Sequence, residues 1–91
     1  MIFEWDPVKF KTNLEKHGIS FDDAVTVFGD QLSETYIDTE HSYDETRFIT
    51  MGLGLSGKLM VVSHTTRGSR IRIISARRAT TKERKFYEEG Y

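Results

Sequence analysis

Residues 47–78, RFITMGLGLSGKLMVVSHTTRGSRIRIISARR, decide the fold. From Arg47 to Leu55 the residues alternate, with Ile49, Met51, Leu53 and Leu55 on one face, the period of a half-buried strand. Ser56-Gly57 makes a tight turn. Lys58 to His64 then returns as a strand whose Leu59-Met60-Val61-Val62 run is apolar on both faces, as in the middle of a sheet. His64 to Ser69 reads as a connection and Arg70 to Arg77 as a further strand. On that strand, alternation puts Ile71, Ile73, Ser75 and Arg77 on one face and Arg70, Arg72, Ile74, Ala76 and Arg78 on the other. Gly52 and Gly54 sit inside a strand with no helix after them, which marks a bend or bulge rather than a phosphate loop.

Working outward, Leu32 to Ile37 is a modest strand, and residues 38–44 are polar enough to be a loop. Further upstream lie two helix signals. Asp6 is placed to cap, Pro7 suits the first helical position, Phe10, Leu14 and His17 form a stripe, and Gly18 closes a helix over 7–17. Ser20-Phe21-Asp22-Asp23 repeats the start signal for a helix over 21–28, ended by Gly29, and Ile2 to Trp5 alternates weakly. Downstream, Thr80 and Glu83 have capping-box spacing for a short helix to about Glu89. The predicted class is α+β: two N-terminal helices packed on an antiparallel sheet of about four strands, with a short C-terminal helix and the other sheet face bare or half-bare.

At 91 residues, 37% hydrophobic and 30% charged, the chain fits one compact domain over 1–91 and no second one. It has no cysteine, which excludes disulfides, thiol nucleophiles and Cys-ligated zinc. No apolar run approaches a membrane span and the N-terminus lacks a signal sequence, so a cytoplasmic location is expected. The net charge of −1 conceals an asymmetry. Residues 1–46 carry 3 Lys/Arg against 11 Asp/Glu, a net of −8, and residues 47–91 carry 10 against 3, a net of +7. The basic half therefore points to an anionic partner such as RNA.

Cleaving RNA through its 2′-OH needs a base, a cation for the phosphorane charge and a proton for the leaving oxygen. Glu83 or His64 supplies the base, Arg67 and Arg77 the charge stabilisers, and His64 or an arginine the acid. Arg70 and Arg72, two residues apart on one face, match neighbouring phosphates, and Tyr87 is the best placed of Tyr36, Tyr43, Tyr87 and Tyr91 to stack a base. No metal-ligand motif is present, so neither metal nor cofactor is expected. Plainer readings stand beside these. Arg70 and Arg72 pair with acids of the first half, Glu83 only closes its capping box, and His64 is an ordinary loop histidine. His17 reads as a helix-end residue and His41 as part of a polar loop.

Two long motifs bring a family into view. The opening F-x-W-D-P-x-K-x-x-x-N-x-x-K-H-G-I-x-F-x-x-A-x-x-V-F, Phe3 to Phe28, and the closing R-I-I-S-A-R-x-A-x-x-x-E-R-x-x-Y, Arg72 to Tyr87, resemble the BrnT toxin family. The resemblance implies a RelE-like fold, an endoribonuclease that arrests translation, and a cognate BrnA antitoxin whose DNA-binding part lets the complex repress its own operon. By position it favours Arg67 and the Arg77, Glu83, Arg84 cluster as the active region, with Lys58 and His64 nearby. The leading expectation is a metal-independent ribonuclease toxin. The alternative is a basic-faced module that binds nucleic acid or a partner without cutting. Convergence of His64, Arg67, Arg77 and Glu83 on one exposed cleft would favour the first.

Overall fold

A computed structural model of the chain describes residues 1–90. The elements are β1 (Ile2–Trp5), α1 (Pro7–His17), α2 (Phe21–Ala24) running into a 3-10 turn (Val25–Gly29), β2 (Glu34–Ile37), β3 (Arg47–Leu53), β4 (Leu59–Arg67), β5 (Arg70–Arg78) and α3 (Thr81–Glu89). The sheet is five-stranded in the order β1-β5-β4-β3-β2. β2 to β5 form the expected antiparallel meander, but β1 adds a fifth strand, parallel to β5, which makes the sheet mixed. A pairing between the two ends of the chain carries no hairpin signal, so local sequence patterns do not reveal it.

The caps act as their residue types require. Asp6 accepts from the Val8 amide at 2.8 Å, and Gly18, at φ 69°, donates its N–H to the Leu14 carbonyl. Ser20 accepts from the Asp23 amide, but the second helix keeps α geometry only through Ala24. The β-branched run Val25-Thr26-Val27 disfavours continuation, and the Thr26 hydroxyl donates to the Asp23 carbonyl at 2.6 Å, tightening the turn. Gly54 lies against this turn, where a Cβ would collide with the Met60 side chain and the Thr26 hydroxyl. Close packing is thus its reason, in keeping with a bend rather than a phosphate loop.

Helices α1 and α2 cover one sheet face. Ile19, Phe21, Ala24 and Val27 pack on Met60, Val62, Ile73 and Ala76, flanked by Phe3, Trp5, Phe10 and Phe28. Two expectations fail on this face, for related reasons. First, β5 bulges opposite Ser63 and His64, so Ser63 pairs with Ser75 and His64 with Ile73. The extra residue reverses the alternation, leaving Ile73 and Ala76 both in the core and turning Arg77 to the open face with Arg70 and Arg72. Second, β4 runs on to Arg67, and only Gly68 and Ser69 connect it to β5. His64 is therefore a strand residue on the side of Met60 and Val62, and it is buried. Its ring stacks on Phe48 and meets Phe28 edge-on, and Nε2 lies 2.7 Å from the Thr50 hydroxyl. Burial pushes its pKa down to about 4.

The outer side of β5 has a strand neighbour only as far as Ile73, where β1 ends. Beyond that point Asn13 of α1 takes over. Its amide nitrogen donates to the carbonyls of Ala76 and Ile19, at 2.9 and 3.0 Å, and its oxygen accepts from the Ala76 amide at 3.0 Å. One buried side chain thus completes the edge of the strand and fastens α1 to it.

Asn13→Ala leaves three buried backbone groups without partners and is expected to lower the unfolding free energy by about 3 kcal/mol in urea titration. A loss under about 1 kcal/mol would show that water or a local shift replaces the amide. His64 gives a pH signature. It is neutral in the folded protein and ordinary in the unfolded chain, so its contribution is complete above pH 6.5 and drains away as the pH falls towards 4. The loss is on the order of 3 kcal/mol. Urea midpoints for His64→Gln should fall less steeply over that range than those of the parent protein; parallel curves would contradict the assignment.

Candidate functional site

The open face, away from α1 and α2, carries Val61, Ser63, Thr65 and Arg67 of β4, Arg70, Arg72 and Arg77 of β5, and Arg47, Ile49 and Met51 of β3. Part of it is covered. Tyr87 of α3 packs on Met51, Leu59 and Val61, and its hydroxyl donates to Asp30 at 2.5 Å. That bond pushes the tyrosine up to about 12. Burial works to raise the Asp30 carboxyl, but the amides of Leu53 and Leu32 and the Tyr87 hydroxyl hold it below the usual range. Tyr87 is therefore an anchor for α3 rather than an open stacking platform.

Beside this cover lies a cavity of about 340 Å³. Ile49, Val61 and Ser63 line it on β3 and β4, with Arg47 and Arg77 from the two strands that flank β4. His17 at the end of α1 joins it next to Ile74 and Ser75 of the bulge, and Asp38 and His41 join it from the loop between β2 and β3. The unpaired outer edge of β5 explains why the end of α1 reaches this cavity.

Arg77 is held from α3. Its two terminal nitrogens meet both Glu83 oxygens at 2.8 and 2.9 Å, a bidentate pair. Glu83 also accepts from the Thr80 amide while Thr80 accepts from the Glu83 amide, a complete capping box. The Arg77 bond, reinforced by Thr80 and opposed by burial, pulls the Glu83 carboxyl down to about 2, and Glu83 in turn raises Arg77. A carboxylate so engaged is a poor proton acceptor near neutral pH. Its role in this geometry is to orient Arg77, whose Nε–H and second Nη2–H make no hydrogen bond among the described residues.

Arg47 presents a complementary feature. Its Nε is buried without a hydrogen-bond partner, the nearest acid being Glu45 at 3.9 Å. The loop before it is braced at its base. The Asp38 amide donates to the Arg47 carbonyl at 2.8 Å, and the Ser42 hydroxyl bonds the Asp38 carbonyl and the Arg47 amide at 2.6 and 2.9 Å. Asp38 accepts in turn from the Glu40 amide, and its other oxygen lies 2.9 Å from His41 Nδ1. The arrangement combines two cations, two imidazoles and a carboxylate around one cavity, which is a set able to bind a phosphodiester and move protons beside it.

The expected site residues are thus distributed. Arg77 lines the cavity, and Glu83 pairs with it. Arg67 lies six residues along β4 from the partner of Arg77, about 20 Å away, near Arg70 and Arg72. Glu4 of β1 pairs with Arg72 at 2.7 Å and Arg70 at 3.6 Å, and the Arg72 bond lowers its carboxyl. The plainer reading of those two arginines as partners of N-terminal acids therefore describes their contacts. Lys58 lies 3.7 Å from Asp23 of α2, at the helix-covered side, and Arg84 pairs with Glu88 on the outside of α3. His64 is on the opposite face, so the four residues expected to form one cleft do not converge. Tyr36 and Tyr43 are exposed, and Tyr91 lies outside the described residues.

Sequence reasoning missed Arg47, Asp38, His41 and His17 as a group. The one local signal was Asp38 three residues before His41, in a polar loop that leads into an arginine-bearing strand. Among the described residues, no cluster of three or more His, Cys, Asp or Glu is placed to hold a metal ion, and no helix is long and apolar enough to cross a membrane.

Comparison with known proteins accords with this geometry. The fold is similar to the crystal structure of the Brucella abortus ribonuclease toxin BrnT, with a TM-score of 0.68 and 24% sequence identity over 89% of this chain and 100% of that one. No curated protein matches the chain. The model of the family described as ribonuclease toxin, BrnT, of type II toxin-antitoxin systems matches residues 5–83. With its mixed sheet, open basic face and a family match over most of its length, the chain belongs to the BrnT family of ribonuclease toxins.

Proposed function

We propose that this protein cuts RNA in the cavity between Arg47 and Arg77, without a metal, by attack of the ribose 2′-oxygen on the adjacent phosphorus. The observation that carries this reading is the pair of guanidinium groups on the strands flanking β4, one oriented by Glu83 and the other with a buried, unpartnered Nε. Both have donors left for a phosphate, and cations aimed at developing charge are worth most where water is scarce. Arg67, Arg70 and Arg72, farther along the same face, would carry neighbouring phosphates of an extended strand, with exposed Tyr36 and Tyr43 available to stack bases. Destruction of messenger RNA would arrest translation. A BrnA-like antitoxin would neutralise the toxin by covering this face, and the complex would reach operator DNA through the antitoxin.

One observation favours the second reading, a basic-faced module that binds without cutting: Arg77 already has an ion-pair partner, and Glu83 completes a cap. End-labelled RNA incubated with the protein in EDTA separates the two. The expected result is cleavage to 2′,3′-cyclic phosphate and 5′-hydroxyl ends, slowed by about 10²–10³-fold in Arg77→Ala and in Arg47→Ala. Intact RNA despite binding would leave the module. Affinity for single-stranded RNA should fall with salt, and each of Arg67→Ala, Arg70→Ala and Arg72→Ala should make the log–log slope shallower by about 0.7. An unchanged slope would take that arginine off the RNA path.

A further inference from the structure

The proposed reaction needs a base and an acid, and the structure withdraws the groups that sequence suggested. Glu83 has both oxygens engaged by Arg77, and His64 is buried on the far face. Two imidazoles remain at the cavity, and they enter from opposite sides. His41 comes from the loop before β3, and His17 from the end of α1 beside the β5 bulge.

We infer that His41 is the general base and His17 the general acid of the cleavage, an assignment that rests on the proposed ribonuclease reading. The hydrogen bond of His41 sets the direction of proton transfer. A carboxylate only accepts, so Asp38 Oδ2, 2.9 Å from Nδ1, holds the ring proton there and leaves the Nε2 lone pair to act. The Asp38 contact orients that ring, and the loop that carries it is braced at its base. The His17 ring makes no hydrogen bond among the described residues, so as an imidazolium it has both N–H groups to give. The charged groups lining the same cavity are Asp38, Arg47 and Arg77. The arginines are permanently protonated, so they can hold phosphate oxygens but not exchange protons.

His41 Nε2 takes the 2′-hydroxyl proton as O2′ bonds to phosphorus, the P–O5′ bond breaks with its electron pair on O5′, and His17 delivers a proton to that oxygen. The products are a 2′,3′-cyclic phosphate and a 5′-hydroxyl. Exchange with water then takes the proton from His41 and returns one to His17.

A paired-substrate experiment tests each role. One RNA oligonucleotide has the normal 5′-oxygen leaving group at the cleaved linkage, and a second has a 5′-sulfur, which departs without being protonated. His41→Ala is expected to lose about 100-fold on both substrates. His17→Ala should lose about 100-fold on the oxygen substrate and stay within about threefold of the parent on the sulfur one. Unfolding curves check that both variants are folded. Undiminished cutting by His41→Ala, or equal loss on both substrates by His17→Ala, overturns the assignment while the ribonuclease reading stands. No cutting of either RNA by the parent protein overturns both.

Discussion

The buried Asn13 side chain is the constraint on which the rest of the arrangement depends. β1 accompanies β5 only to Ile73, and the remainder of that strand would face the end of α1 with a bare backbone. A single amide serves as the missing neighbour of Ala76 and also holds the Ile19 carbonyl, where the chain enters the core. Two consequences reach the cavity. The end of α1 is fixed at the rim, which brings His17 there, and β5 is fixed just past the bulge that turns Arg77 outward. A buried amide that satisfies three backbone groups tolerates little movement, which is what a preformed site requires.

The charge asymmetry of the sequence has a structural counterpart, though not a simple division into acidic back and basic front. Acids from the first half come to the arginines: Glu4 lies beside Arg70 and Arg72, and Glu45 lies 3.9 Å from both Arg47 and Arg67. These partly exposed pairs contribute little stability. Their larger effect is to position guanidinium groups that keep donors for another anion. Glu83 does the same for Arg77 with better geometry.

Much of the architecture was legible because it is local. Asp6, Pro7 and Gly18 delimit α1, Thr80 and Glu83 start α3, and the alternation from Arg47 onward gives the meander. The failures are long-range or depend on counting. Ile2 to Trp5 offers only four alternating residues, and nothing local points to a partner 68 positions away. His64-Thr65-Thr66-Arg67 looked like a loop by composition, although His64 continues the parity of Met60 and Val62. The bulge, invisible in Ile73-Ile74-Ser75, changed the face of every later residue of β5. The candidate site was legible only in part. Arg77 and Glu83 stood within a motif, whereas the loop residues Asp38 and His41, Arg47 and the helix-end His17 meet only when β2, β3, β5 and α1 are assembled.

The central claim is that RNA lies across the open face with its reactive phosphate between Arg47 and Arg77. A crystal structure with a short RNA blocked by 2′-O-methyl at the cleaved position tests it most directly. The account requires a phosphate in the cavity over Ser63, hydrogen-bonded to both guanidinium groups, with the strand continuing towards Arg72 and Arg67. A phosphate bound only at the Arg67, Arg70 and Arg72 end, or on the helix-covered side near Lys58, would contradict it.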